Sequence, residues 1–102
     1  MSRVEQVITH AIANKTIIKF IYDGCPRRVE PHHMGLLNNQ KQLHGYQVSN
    51  GSKSGHLPEL RNFKLADIQS IAAEPRSTFN ERDSYNPANS HYSRIIKSIR
   101  KG

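Results

Sequence analysis

The stretch from Thr16 to Val48 constrains this chain most. Short runs rich in β-branched and aromatic residues alternate there with dipeptides that turn the backbone sharply. Thr16 to Tyr22 reads as a strand with Ile18, Phe20 and Tyr22 on one face and Ile17, Lys19 and Ile21 on the other. Asp23-Gly24 is a turn signal. A second strand is predicted from Arg28 to Leu37, bent at Pro31 or Gly35. Asn38-Asn39 then turns the chain into a third strand, Gln42 to Val48. Such a succession specifies a mainly β domain.

The flanks add helices. Ser2 and Glu5 form a capping-box pattern, and Val4, Val7, Ile8, Ala11 and Ile12 recur at helical spacing, so a helix is predicted over Ser2 to Ala13. Residues 49 to 59 contain three serines, two glycines and a proline and read as a loop. Leu60 to Leu65, with Arg61, Phe63 and Leu65 on one face, and Ile68 to Ala73 are the fourth and fifth strands. The stretch from Pro75 to Ser90 is polar and irregular, with a break at Asn86-Pro87. Tyr92, Ile95, Ile96 and Ile99 return to helical spacing, opposite Arg94, Lys97, Arg100 and Lys101. A short basic helix is predicted there, docked through its apolar row, because a lone helix of that length is unstable in water. The division expected is 1–79 for the strands with the first helix and 80–102 for a C-terminal extension. The predicted core is Val7, Ile18, Phe20, Val29, Leu43, Phe63 and Ile71.

A chain of 102 residues is one domain's worth. Lys and Arg number 15 against 8 Asp and Glu, a formal charge of +7, which draws polyanions and speeds their encounter. The single cysteine, Cys25, excludes an intramolecular disulfide and suits a reducing compartment. The start lacks the apolar run of a signal peptide, and no stretch is long enough to span a bilayer. The expectation is a cytoplasmic protein without a membrane partner.

Several motifs stand in one order. Val29-Glu30-Pro31-His32 opens the second strand and Leu43-His44-Gly45-Tyr46-Gln47 lies in the third. Arg61-Asn62-Phe63-Lys64-Leu65-Ala66-Asp67-Ile68 follows, then Phe79 and Tyr85-Asn86-Pro87, with Ser52-Lys53-Ser54-Gly55 in the loop between. In that order they resemble the WYL domain family over nearly the whole chain. The resemblance implies a small SH3-like or Sm-like barrel of about five strands, the predicted helices flanking it. It implies binding rather than catalysis. Members are mostly sensor modules of bacterial transcription regulators and phage-defence systems, with nucleic acids or nucleotide-like molecules as ligands. The Trp-Tyr-Leu trio that names the family falls here on Lys41-Gln42-Leu43, so its aromatic platform is absent.

The same resemblance puts Arg28, His32, His44 and Arg61 near a ligand groove, with Gln47 beside them. Arginine matches phosphate oxygens bidentately, and histidine donates to phosphate or stacks on a base. The competing use is an internal ion pair, for example Arg61 with Glu30. Ser52, Ser54 and Gly55 are candidates for an anion-gripping loop, with a solvated loop as the alternative. Arg94, Lys97, Arg100 and Lys101 are auxiliary basic residues that would extend the groove into one track.

No metal site is expected: His32 and His33 are neighbours on a strand and would point to opposite faces, and no second pair completes a site. No nucleophile motif or paired acidic motif supports catalysis, and no cofactor is implied. The function read from the sequence is a regulatory, ligand-sensing or nucleic-acid-binding accessory module for single-stranded DNA or RNA or a nucleotide-like anion. The alternative is a protein-interaction or homo-oligomerisation module.

Overall fold

The computed structural model describes residues 2–49 and 59–100. Helix α1 spans Arg3–Asn14 and starts as its sequence dictates, the Ser2 hydroxyl accepting the Glu5 N–H at 3.2 Å. It ends with Lys15 in the left-handed region. Six strands follow: β1 Ile18–Tyr22, β2 Cys25–Leu37, β3 Gln40–Ser49, β4 Glu59–Lys64, β5 Gln69–Ala73 and β6 Arg94–Ser98. All pairings are antiparallel, in the order β4-β3-β2-β1-β5, with β6 on β2. The turns are those the dipeptides predict, with both central residues at positive φ in Asp23-Gly24 and in Asn38-Asn39.

The sheet is strongly curled. Phe20 on β1 and Phe63 on β4 lie three strands apart in the sheet order, which in a flat sheet is about 14 Å. Their ring centroids are 5.2 Å apart, and those of Tyr22 and Phe63 are 5.1 Å apart. The Lys64 N–H donates to the Tyr22 hydroxyl at 3.0 Å, so β1 and β4 meet through side chains. The inner face carries Ile18, Phe20, Val29, Met34, Leu43 and Phe63, packed with Ile8, Ala11 and Ile12 of α1. Every residue of the predicted core is in this cluster or, for Val7, packed against it. The barrel, however, does not close: β4 and β5 end the sheet and, among the described residues, share no ladder.

The predicted C-terminal helix is absent, and its residues form β6 instead. On one edge of β2, β1 pairs only residues 25–29, which leaves the backbone beyond them open. β6 pairs that stretch, His33 to Leu36, completing hydrogen bonds that a docked helix would leave unmade. Isoleucine is β-branched and favours the strand. The supposed apolar row is split: Ile99 packs on the core, whereas Ile95 and Ile96 are 39% and 40% exposed. β6 also approaches β2 closely at Gly35, where a Cβ would overlap the Arg94 carbonyl oxygen and lie 2.9 Å from Ile95 Cα.

The outer face of β2 and β3 is covered by the chain from Phe79 to Tyr92, over an aromatic and histidine layer. The register passes from Pro31↔Gly45 to His33↔His44, so His32 is the extra residue of a β-bulge. The bulge turns both neighbouring histidines toward Tyr85, with ring centroids at 4.9 and 5.5 Å, against the opposite-face expectation for a regular strand. His32 Nδ1–H donates to the Glu30 carbonyl at 2.8 Å and Nε2 accepts the Arg82 N–H at 3.0 Å, which fixes a neutral ring. His33 stacks on His44 at 4.6 Å, and its Nδ1 is hydrogen-bonded to the Tyr85 hydroxyl at 2.6 Å. Burial holds all three histidines below the usual imidazole range, His33 down to about 3, where His44 and His32 add to the effect. Arg82 clamps the layer from outside, donating to both Glu30 oxygens at 2.7 and 2.9 Å with its guanidinium 4.1 Å from the Tyr46 ring centroid. Among the described residues no group of histidine, cysteine and acidic side chains is arranged to hold a metal, and no helix is long and apolar enough to cross a membrane.

Two outcomes are expected. Gly35→Ala should detach β6, seen as loss of amide-exchange protection at residues 94–98 while β1 to β4 stay protected. The unfolded chain protonates its histidines near pH 6.5 and the folded one at lower pH, so their stabilisation is present above about pH 6.5 and is lost as pH falls below it, for His33 down to about 3. For His33 alone the loss is about 1.4 kcal/mol per pH unit inside that window. Urea titrations at pH 7 and pH 5 should show it, and His33→Gln should flatten the dependence.

Candidate functional site

The inner face of the curl is apolar where α1 covers it and polar at one margin. The two-residue turn Asp23-Gly24 sets the register of β1 on β2: Tyr22 faces Cys25, Ile21 faces Pro26 and Phe20 faces Arg27. Arg27 is therefore on the core face, and Arg28 on the other. Val29 faces Gln47, and Gly45 faces Arg61, so Arg27, Gln47 and Arg61 share the inner face with Tyr22.

Arg27 is only 7% exposed. Its Nη1 donates to Gln47 Oε1 at 3.2 Å and its Nη2 to the Tyr22 carbonyl at 3.3 Å, with the guanidinium 5.8 Å from the Tyr22 ring centroid. Among the described residues its buried Nε has no hydrogen-bond partner and no carboxylate pairs with it. A buried charge ordinarily persists only when paired, since taking it out of water costs several kcal/mol. Arg27 is thus a buried guanidinium with one N–H left unsatisfied among the described residues.

The residues expected at the site do not gather in one place. Arg28 points outward and is tied to Glu74, its Nη2 donating to Oε1 at 2.9 Å, an ion pair that holds the Glu74 carboxyl below its usual range. His32 and His44 lie in the outer layer, where His44 Nδ1–H donates to Asn62 Oδ1 at 2.8 Å. Gln47 and Arg61 are on the inner face. Glu30 pairs with Arg82 on the outer face, so the Arg61–Glu30 ion pair does not form. Ser52, Ser54, Gly55 and Lys101 lie outside the described residues. Arg94 and Lys97 are on β6, whose pairing begins five residues along β2 from Arg28, about 16 Å away. Arg100 is engaged with Glu81 at 2.9 Å and with the Tyr85 carbonyl at 3.3 Å. The described residues therefore form no continuous basic track.

Motif reading puts Arg27 beside Arg28 in one basic group but gives the ligand role to Arg28 alone, and register puts Arg27 inside. The signal was present: counting outward from a two-residue turn pairs Arg27 with Phe20, which the alternation already puts in the core.

Two clefts on the surface differ in charge. A cleft of about 630 Å³ beside Tyr46 and Phe79 is lined by Glu30, Glu81 and Asp83. A smaller one of about 290 Å³, lined by Lys19, Arg27 and Arg28 with Phe20, Ile21 and Pro26, opens at the β-bulge where Ser70 takes φ of 55°.

Comparison with known proteins bears on the fold. No protein-family model matches the sequence, and no curated protein matches it. Among solved structures the chain is similar to the proteasome accessory factor B/C (PafBC) of Arthrobacter aurescens, with a TM-score of 0.69 at 20% identity. The match covers 86% of this chain and 14% of that one, so this chain spans about one seventh of the length of the protein it resembles. The likeness is one of fold: a helix and a curled antiparallel sheet that recur as part of a larger bacterial protein.

Proposed function

We propose that this chain is a binding module whose ligand is anionic, a single strand of nucleic acid, taken at the polar margin of the curled sheet. The observation that carries the reading is Arg27, a buried guanidinium that has no carboxylate partner among the described residues. Gln47 orients it, and Arg61 on the same face supplies a second cation toward the strand. The surplus of +7 attracts the polyanion at a distance. The motif order resembling WYL domains agrees with such a ligand and with a regulatory role, and the fold shared with part of PafBC is consistent with a module working beside other domains. His32 and His44 serve the fold in this reading, since both lie buried in the layer that seats the C-terminal segment.

A second reading, protein interaction, has one observation in its favour. Among the described residues the outer edge of β6 is unpaired and bears the exposed Ile95 and Ile96, a geometry that accepts an added strand.

Fluorescence anisotropy of a labelled single-stranded oligonucleotide at several salt concentrations separates the two. A phosphate-driven complex weakens steeply with salt, by roughly 0.7 in logarithmic slope per phosphate neutralised. Arg27→Gln should weaken binding and lower that slope by about one such increment, with a change in stability within about 1 kcal/mol, because the lost hydrogen bonds are offset by removal of an uncompensated buried charge. Arg28→Gln, which removes a cation already paired with Glu74, should lower it less. Binding that ignores salt and Arg27, together with a dimer on sedimentation that Ile96→Lys dissociates, would favour the β6 reading.

A further inference from the structure

The outer face of the β1–β2 hairpin pairs its side chains by kind. Lys19 lies opposite Arg28, and Ile21 opposite Pro26. Like charges directly across a pair of strands repel. Glu74 offsets part of that repulsion: it is ion-paired with Arg28, and its carboxyl is also held down by the field of Lys19. Glu30, whose field reaches Arg28 too, is committed to Arg82. Lys19 itself is exposed and, among the described residues, forms no ion pair.

The neighbouring strand opens this surface into a cleft. The ladder between β1 and β5 passes from Lys19↔Ala72 to Ile21↔Gln69, so Ser70 and Ile71 together oppose Phe20. Ser70 takes φ of 55°, a conformation in which serine is uncommon. Backbone strain of that kind persists only where the surroundings hold it, and it gathers at ligand sites. Ser70 is part of the wall of the cleft of about 290 Å³ that Lys19, Arg27 and Arg28 line with Phe20, Ile21 and Pro26. Among the described residues no acid lines it, and the charge buried on Arg27 adds to the positive field there.

The cleft thus has an apolar floor under a positive rim. Ile21, Pro26 and the aliphatic stems of Lys19 and Arg28 suit an apolar body, and the Lys19 ammonium and the Ser70 hydroxyl are donors to an anionic group. At about 30 Å³ per water the space is roughly ten water volumes, room for an organic molecule of about a dozen non-hydrogen atoms. A lone inorganic anion would leave the floor uncovered.

We infer that this cleft binds a small carboxylate whose body is an apolar ring. The site is on the opposite face of β2 from the margin proposed for a nucleic-acid strand, and it does not depend on that reading.

Indole-3-acetate, a carboxylate of that size, provides the test, with neutral indole-3-acetamide and with acetate as controls. Two-dimensional NMR of the backbone N–H groups follows each titration of the full chain and of Lys19→Gln, with melting curves to verify folding. Indole-3-acetate should shift residues 19–21, 27–28 and 69–71 saturably. The two controls should each bind about fivefold or more weakly. Lys19→Gln should weaken indole-3-acetate by about the same factor and leave indole-3-acetamide unchanged. If indole-3-acetate and its neutral analogue bind the parent alike, or Lys19→Gln weakens both equally, recognition of an anion is wrong. If acetate binds as tightly as indole-3-acetate, the apolar body is wrong. If indole-3-acetate leaves these residues unmoved, the cleft is not a site for this chemistry. None of these results bears on oligonucleotide binding, which Arg27→Gln tests separately.

Discussion

The packing of β1 against β4 across the inside of the sheet is the contact on which the rest depends. Phe20 and Tyr22 meet Phe63 edge to face, and the Tyr22 hydroxyl takes the Lys64 N–H. Such aromatic pairs are worth about 0.5–1.5 kcal/mol each beyond the area they bury. Their larger effect is geometric, because they fix which face of every strand is inside. Arg27 lies inside only because its partner in register, Phe20, does. The same curl leaves an outer face on β2 and β3 that needs its own cover, which the chain after Phe79 provides.

The two faces handle polar groups in opposite ways. The outer layer keeps its histidines neutral and almost fully bonded: His32 uses both nitrogens, His44 uses Asn62, and Glu30 is neutralised by Arg82. His33 Nε2 is the exception, buried without a partner among the described residues. The inner margin keeps a full charge. Small domains are marginal, and an uncompensated cation lowers their stability further, so its presence invites a functional explanation more than a structural one. The outer histidines have one already, since their hydrogen bonds seat a long irregular segment on a sheet.

Local features of the fold were legible wherever chemistry is local. The Ser2 cap, the Asp23-Gly24 and Asn38-Asn39 turns and the alternation through Phe20, Val29, Leu43 and Phe63 are all present in the structure. The misreading came at the C-terminal end, where the isoleucine spacing fits a helix. What decides it is a free edge on β2 more than fifty residues earlier, and no window around Ile95 contains that information. The bulge at His32 escaped for a related reason. It follows from Pro31, which has no N–H to donate within a central strand, and from Gly45 opposite, where a Cβ would lie 3.0 Å from the Glu30 carbonyl oxygen.

The candidate site was legible as a neighbourhood and not as a set. Motif order brought forward a stretch of β2 and the Arg61 strand, and these do frame the inner margin. It could not tell Arg27 from Arg28, because two adjacent arginines look alike until register assigns one to each face. Arg28 answers to Glu74, an acid that follows β5 and lies at hand only after the chain has gone round the sheet. Among the described residues Arg27 has no such acid. Partner assignment is therefore what separates the two arginines, and it is a property of the curled sheet that composition and spacing leave undetermined. The same reasoning explains why the large positive surplus says little about where a polyanion binds. Arg28, Arg82 and Arg100 are each committed to a glutamate, and charges so committed contribute to attraction at a distance but little to a contact that must displace the acid first.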